Sequence, residues 1–224
     1  MRVLIVGGYG VFGGRLAQLL VDEERLTLIV AGRSCDKAEA YAASLRGAAR
    51  VVAAVFDRDG DLASQLEALA PDLVVDATGP FQVYGARPYC LVEAALDAGA
   101  DYVDLADGSD FVAGIVRHDA TAREKGRFAL SGVSSFPVLT AAVVRRLSQG
   151  LARVETITGG IAPSPYAGVG ENVIRAIASY AGKPVALVRE ARAAFGFGLV
   201  ESIRRTIAPP GKLPLRSEEH TSEL

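Results

Sequence analysis

The chain has 224 residues, half of them hydrophobic and 22% charged, which supplies a sizeable core for one large domain, or one domain and part of another, and argues against disorder. A net charge of −2 with no Lys/Arg block removes the electrostatic case for nucleic acid or a membrane surface as partner, and no apolar run reaches the ~18 residues of a membrane helix. Two cysteines, Cys35 and Cys90, make no disulfide framework and, with no signal-peptide layout at the start, fit a reducing cytoplasm.

Val3-Leu4-Ile5-Val6 reads as a strand buried on both faces. The turn Gly7-Gly8-Tyr9-Gly10-Val11-Phe12-Gly13 follows, and Phe12, Leu16, Leu19 and Leu20 then mark one face of a helix. The glycines fit G-x-G-x-x-G as Gly8, Gly10 and Gly13, or G-x-x-G-x-x-G as Gly7, Gly10 and Gly13. Either pattern between a strand and a helix points to a dinucleotide site, the alternative being an ordinary structural turn. Backbone without Cβ atoms approaches a pyrophosphate, and the helix's unpaired N–H groups face the anion.

Thr27–Ala31 reads as the second strand, followed by Gly32-Arg33-Ser34. An NAD site usually places Asp or Glu here to accept from the ribose 2′-hydroxyl. Arg33 and Ser34 suit a 2′-phosphate instead, so the expected cofactor is NADP rather than NAD, with Asp36 nearby as the contrary feature. Ser34 also reads as the N-cap of a helix carrying Ala38, Tyr41, Ala42 and Leu45. Arg50–Val55 is the third strand. Asp57 at its end is either an acceptor for the adenine amino group or a turn aspartate. Leu62, Leu66 and Leu69 mark the next helix, capped by Asp59 or Asp61.

Leu73–Ala77 reads as the fourth strand, running into Thr78-Gly79-Pro80-Phe81-Gln82-Val83-Tyr84-Gly85. Strand order in such sheets reverses between the first and fourth strands, which puts this loop beside the ligand crevice, with Phe81 and Tyr84 as an apolar wall or as loop packing. A helix from Pro88 to Ala98, a fifth strand at Tyr102–Leu105, and a long helix from Asp110 to Gly126 come next. A sixth strand at Arg127–Ser131 and a helix over Val138–Leu147 complete the run. Strand–helix alternation on this scale implies α/β architecture, a doubly wound parallel sheet of Rossmann type over residues 1–150. Asp104 and Asp107, at the end of strand five, could hold an amine-bearing substrate, trade a proton, or serve as ordinary caps and turn acids. His118 reads as a structural histidine.

The glycine turn, Ala31-Gly32-Arg33-Ser34, the stretch Asp76–Gly85, Tyr102-Val103-Asp104-Leu105 and Gly132-Val133-Ser134-Ser135-Phe136-Pro137 resemble, in order and spacing, the saccharopine dehydrogenase-like NADP-binding family. The resemblance covers residues 1–150. It implies that Gly7, Gly10 and Gly13 hold the pyrophosphate, Arg33 and Ser34 the 2′-phosphate, and Thr78, Gly79, Pro80 and Phe81 the nicotinamide side. The turn residues Gly8, Tyr9, Val11 and Phe12 are expected to join them.

Residues 151–215 read as the start of a substrate-side α+β domain, incomplete here. Its expected elements are a strand over 153–161, a helix with Val173, Ile174, Ile177 and Tyr180, and a strand over Val185–Arg189. Residues 216–224 resemble a translated sequencing adapter and are set aside as a non-native tail, the natural protein being read as longer. The function expected is hydride transfer between NADP and a small amino-acid-like substrate by the full-length protein, with a homodimer as its assembly and this fragment inactive. The alternative is an NADP-binding module without turnover. An epimerase or dehydratase would call for Tyr-x-x-x-Lys, which the sequence lacks.

Overall fold

The structure, a computed structural model, describes residues 1–134, 138–154, 157, 174–175, 178–189 and 192–197. The chain divides into two compact units, residues 1–137 and 138–224.

The first unit is built on six parallel strands. These are β1 (Arg2–Val6), β2 (Thr27–Gly32), β3 (Arg50–Val55), β4 (Leu73–Asp76), β5 (Asp101–Asp104) and β6 (Ala129–Leu130). Their order is β3-β2-β1-β4-β5-β6, so the chain leaves β1 on one side and returns on the other, as the Rossmann reading requires. The central strands are apolar at consecutive positions because both faces are covered. Val3, Ile5, Leu28, Val30 and Val75 pack on one face with Ala17, and Leu4, Val6, Ile29, Ala31 and Val74 pack on the other with Leu66, Leu91 and Leu96. Helices α1 (Val11–Leu20) and α2 (Cys35–Ser44) thus cover the first face, and α3 (Leu62–Leu69) and α4 (Cys90–Asp97) the second.

Local signals set several boundaries. The Ser34 Oγ accepts from the Lys37 amide at the start of α2, and Asp61, rather than Asp59, caps α3 by accepting from the Ser64 amide at 3.2 Å.

Three expectations give way. The buried side of α1 is Gly13, Gly14 and Ala17, while Phe12 (56% exposed) and Leu19 (64%) face outward. Small residues let the helix sit close on the sheet, which turns the larger ones away. The long helix expected over 110–126 is broken into α5 (Ser109–Gly114), a 3-10 turn at Ile115–His118, and α6 (Asp119–Glu124), with Gly108 and not Asp110 at the N-cap. The Tyr89 hydroxyl donates to the Phe111 carbonyl at 2.9 Å, the acceptor an α-helix would offer to Ile115, and the Ile115 amide turns to Val112 instead. The sixth strand shortens to its two central residues.

The second unit contains α7 (Thr140–Leu147) and an antiparallel pair, β7 (Pro184–Arg189) and β8 (Arg192–Phe197), whose register runs from Pro184 opposite Phe197 to Arg189 opposite Arg192. β7 is the strand expected at Val185–Arg189. In the strand expected over 153–161, residues 153, 154 and 157 are described and carry no regular structure; the helix expected with Val173 to Tyr180 is helical at 174–175 and 178–179, and the rest of both lies outside the described residues. The tail 216–224 also lies outside them. No helix among the described residues is long and apolar enough to cross a membrane.

Candidate dinucleotide site

β1 ends at Val6, and the chain must turn within a few residues to start α1 at Val11. Gly7 takes φ +79°, a conformation that strongly favours glycine, and a Cβ there would stand 2.9 Å from the Ala77 carbonyl oxygen. The amides of Gly7 and Gly8 both donate to the Ala31 carbonyl at 2.9 Å, so the turn is pinned between the ends of β2 and β4. The Gly10 amide closes the turn onto the Gly7 carbonyl at 2.8 Å, and a Cβ on Gly13 would land on that same carbonyl.

Gly10 is the N-cap of α1 and supplies no side-chain cap; the amides of Val11, Phe12 and Gly13 have no partner among the described residues. These are the features a diphosphate needs: a bare backbone surface, open N–H donors and the positive end of a ten-residue helix.

The other expected residues line up on the same sheet edge. Arg33 and Ser34 follow β2, Asp57 follows β3, and Thr78 to Phe81 follow β4, flanking the turn in the order the sheet dictates. Arg33 is exposed and has no partner among the described residues. Ser34 caps α2, and its amide donates to the Tyr9 hydroxyl at 3.1 Å, tying the glycine turn to the end of β2. Asp57 makes a turn: its Oδ1 accepts from the Asp59 amide at 3.1 Å, while Gln65 bonds to its backbone.

Beyond β4 the geometry turns inward. Gly79–Pro80 is a cis peptide. The Phe81 ring is buried, 4.8 Å from the Tyr84 ring and 5.0 Å from Phe111 centre to centre, so it packs the loop onto the core.

Beneath that loop lies a buried polar network. Asp76 closes β4 with a fully buried carboxylate that accepts from the Thr78 amide (3.0 Å), the Thr78 hydroxyl (2.6 Å) and the Tyr84 hydroxyl (3.1 Å to each oxygen). Arg58 is buried too. Its Nε is 4.0 Å from Asp76, its guanidinium carbon lies 3.6 Å from the centre of the Tyr84 ring, and its Nη2 donates to the carbonyls of Pro88 (2.8 Å) and Arg87 (3.3 Å). One guanidinium therefore holds the far end of the 79–88 loop while standing beside the acid at its near end.

Next to Asp76 in register on β5 is Asp104, whose Oδ1 accepts from Ala106 (2.9 Å), Gly132 (2.8 Å) and the Ser131 hydroxyl (2.9 Å), clipping the ends of β5 and β6 together. At 0% exposure its side chain is buried at the strand ends. Asp107 is exposed and accepts from the Gln82 amide at 2.8 Å.

Burial pushes the Asp104 carboxyl above its ordinary range against the pull of its Gly132, Ala106 and Ser131 bonds, with the Asp76 charge adding to the rise. Burial also raises Asp76, opposed by Thr78 and Arg58, and burial keeps the Tyr84 hydroxyl protonated as a donor.

A carboxyl raised in the folded state contributes stability that is fully present below the unfolded pKa of ~3.9 and is lost as pH rises through the folded one. Asp104→Asn keeps the three-bond acceptor and removes the charge beside Asp76. The expected result is a variant more stable than the parent at pH 7–8, with the gap closing toward pH 4; urea melts across that range check it, and a gap that grows on acidification refutes it.

Arg58 and Asp76 lie outside the site residues expected from the sequence. The signal for Asp76 was present, an acid ending an otherwise apolar strand in the same position as Asp104. Nothing local marks Arg58. His118 is buried beside the Tyr89 ring, 5.2 Å away, and no metal-holding group occurs among the described residues.

Residues 3–130 match the saccharopine dehydrogenase NADP binding domain family. Comparison with curated proteins returns no match. Among solved structures, the chain is similar to biliverdin reductase from Synechocystis sp. PCC 6803, in complex with biliverdin and NADP+, at 23% identity over 80% of this chain and 56% of that one, TM-score 0.46. It is similar to an NAD binding oxidoreductase from Klebsiella pneumoniae at 19% identity over 67% and 40%, TM-score 0.40. A UDP-glucose-4-epimerase from Stenotrophomonas maltophila with bound NAD gives 21% identity over 46% and 36%, TM-score 0.37. The chain spans less than two thirds of the length of each of these three.

Proposed function

Since the chain belongs to the saccharopine dehydrogenase NADP-binding domain family, we propose that it binds NADPH in preference to NADH along the C-terminal edge of its sheet, as the cofactor half of an oxidoreductase acting on a small amino-acid-like substrate. When bound, the cofactor supplies a hydride for an electrophilic carbon such as that of an imine, whose nitrogen takes up a proton. The protein's task is to hold and orient it. The amides of Val11, Phe12 and Gly13 receive the diphosphate, Arg33 and Ser34 the 2′-phosphate, and the backbone of Thr78, Gly79 and Pro80 borders the nicotinamide. The Asp76–Arg58–Tyr84 network keeps that last segment fixed, so the reacting face is presented in one orientation. The partner is a small molecule, and the assembly we assign to the protein, in the cytoplasm, is a homodimer.

The observation that carries this reading is the glycine turn, whose amides and bare backbone, open among the described residues, lie at the same sheet edge as the Arg33 guanidinium, which has no partner among those residues. Arg33→Ala should weaken NADPH binding by ~1–3 kcal/mol, the scale of a lost charge-assisted contact, and leave NADH unchanged. Titration followed by reduced-nicotinamide fluorescence measures both. Equal losses for the two nucleotides would remove the 2′-phosphate from Arg33.

A further inference from the structure

We propose that Tyr9 is a specificity-determining residue of this site: its phenol hydroxyl, anchored by the Ser34 amide, donates a hydrogen bond to a phosphate on the ribose 2′-position. The inference rests on the NADPH reading above and assigns a selecting donor that the glycine pattern does not require.

Tyr9 leaves the glycine turn and reaches across to the end of β2. A Cβ on Gly32 would stand 2.6 Å from Cε1 and from the hydroxyl oxygen of Tyr9, so the absence of a side chain at Gly32 is what admits the ring. The phenol oxygen accepts from the Ser34 amide at 3.1 Å, and no described residue accepts its proton. An oxygen already used as acceptor from an N–H has its O–H left to give.

The same holds for its neighbour. The Ser34 Oγ accepts from the Lys37 amide, which leaves that hydroxyl's proton to give, and Arg33 beside it carries donors alone. Of the acids close by on α2, Glu39 accepts from the Cys35 thiol and Asp36 sits in the first turn.

Two hydroxyl protons and a guanidinium, carried by the consecutive residues Arg33 and Ser34 and by the tyrosine whose oxygen accepts from the Ser34 amide, are a donor set. A phosphoryl group, all acceptor, satisfies it. A ribose 2′-hydroxyl, which seeks an acceptor for its own proton, does not.

The test is Tyr9→Phe in the full chain, which keeps the ring over Gly32 and removes only the hydroxyl. NADPH and NADH are titrated by nicotinamide fluorescence, and adenosine 2′,5′-bisphosphate and 5′-AMP by calorimetry. Thermal melts confirm that the variant folds. The expected result is about tenfold or greater weakening for NADPH and for the bisphosphate, with NADH and AMP changed less than about twofold. A role confined to shaping the turn would lower all four together, and that outcome overturns the proposal, as does no change in any. If the parent chain prefers NADPH, and Arg33→Ala abolishes the preference while Tyr9→Phe does not, the Tyr9 assignment falls and the NADPH reading stands. If the parent binds neither nucleotide, both fall.

Discussion

Arg58→Ala is expected to destabilise the first unit by about 3–5 kcal/mol, the cost of breaking a buried ion pair by removing one partner. Four contributions are lost together. Asp76, fully buried, loses the positive charge next to it; the exposed Asp59 loses its ion-pair partner at 3.0 Å; the carbonyls of Arg87 and Pro88 lose their donors; and the Tyr84 ring loses the guanidinium that lies over it. The Arg58 and Asp76 side chains are almost wholly out of solvent, so screening by water does little to soften the loss. The deficit should shrink as pH falls, because the Asp76 carboxyl, already raised by burial, can take up a proton once its partner is gone.

Asp76→Asn in the Arg58→Ala background should therefore recover part of the stability at neutral pH. Arg58→Lys should fall between parent and alanine, since an ammonium keeps the charge but not the planar fork that lies over Tyr84 and spans two carbonyls. Denaturant titration by far-ultraviolet circular dichroism is the measurement, and a loss for Arg58→Ala below about 1 kcal/mol, the worth of a surface pair, would contradict the network described.

Gly13→Ala is expected to strike cofactor binding harder than stability. Its Cβ would land on the Gly7 carbonyl, which already accepts from the Gly10 amide, and the obstacle is backbone that cannot swing aside. The first turn of α1 must lift away from the end of β1, at a cost of about 1–3 kcal/mol in folding. Its open amides move with it, so NADPH affinity should drop at least about tenfold, the equivalent of one charge-assisted hydrogen bond.

Gly14→Ala is the matched control. Its Cβ would meet the Tyr41 ring at 2.8–2.9 Å, the far end of a side chain that can shift, and it lies on the side of α1 that faces α2. That variant should melt slightly below the parent and retain NADPH binding. Nucleotide titration of the two variants side by side distinguishes a cradle built at Gly13 from a general intolerance of the helix to added methyl groups; equal binding losses would count against the cradle.

The features visible from residue order alone are those whose cause is local. Four apolar residues followed by crowded glycines read as a buried strand and a tight turn, the flanking glycines deciding against a helix. Ser34 caps α2 because its own Oγ reaches an amide three residues on. The parallel sheet follows from the alternation of such units. The features hidden in the sequence have causes far along the chain. The break after Gly114 comes from the hydroxyl of Tyr89, more than twenty residues earlier, which takes the carbonyl that Ile115 would have used.

Phe12 and Leu19 obey helical spacing and still face outward, since the depth at which α1 seats is set by Gly13 against the glycine turn and Ala17 against the sheet. Phe81 turns into the core because Phe111, thirty residues on, offers its ring a partner. Arg58 sits in an ordinary polar turn by composition, and only the fold brings Asp76, Tyr84 and Pro88 around it.

The central claim is that the hollow at the end of β1 holds a dinucleotide with its phosphorylated ribose at the end of β2. A crystal structure of the chain grown with NADP+ tests it most directly. The prediction is diphosphate oxygens within hydrogen-bonding distance of the Val11–Gly13 amides, and the 2′-phosphate against Arg33, Ser34 and the Tyr9 hydroxyl. Nucleotide bound elsewhere, or bound in the hollow with its 2′-phosphate turned away from Arg33, would contradict the account.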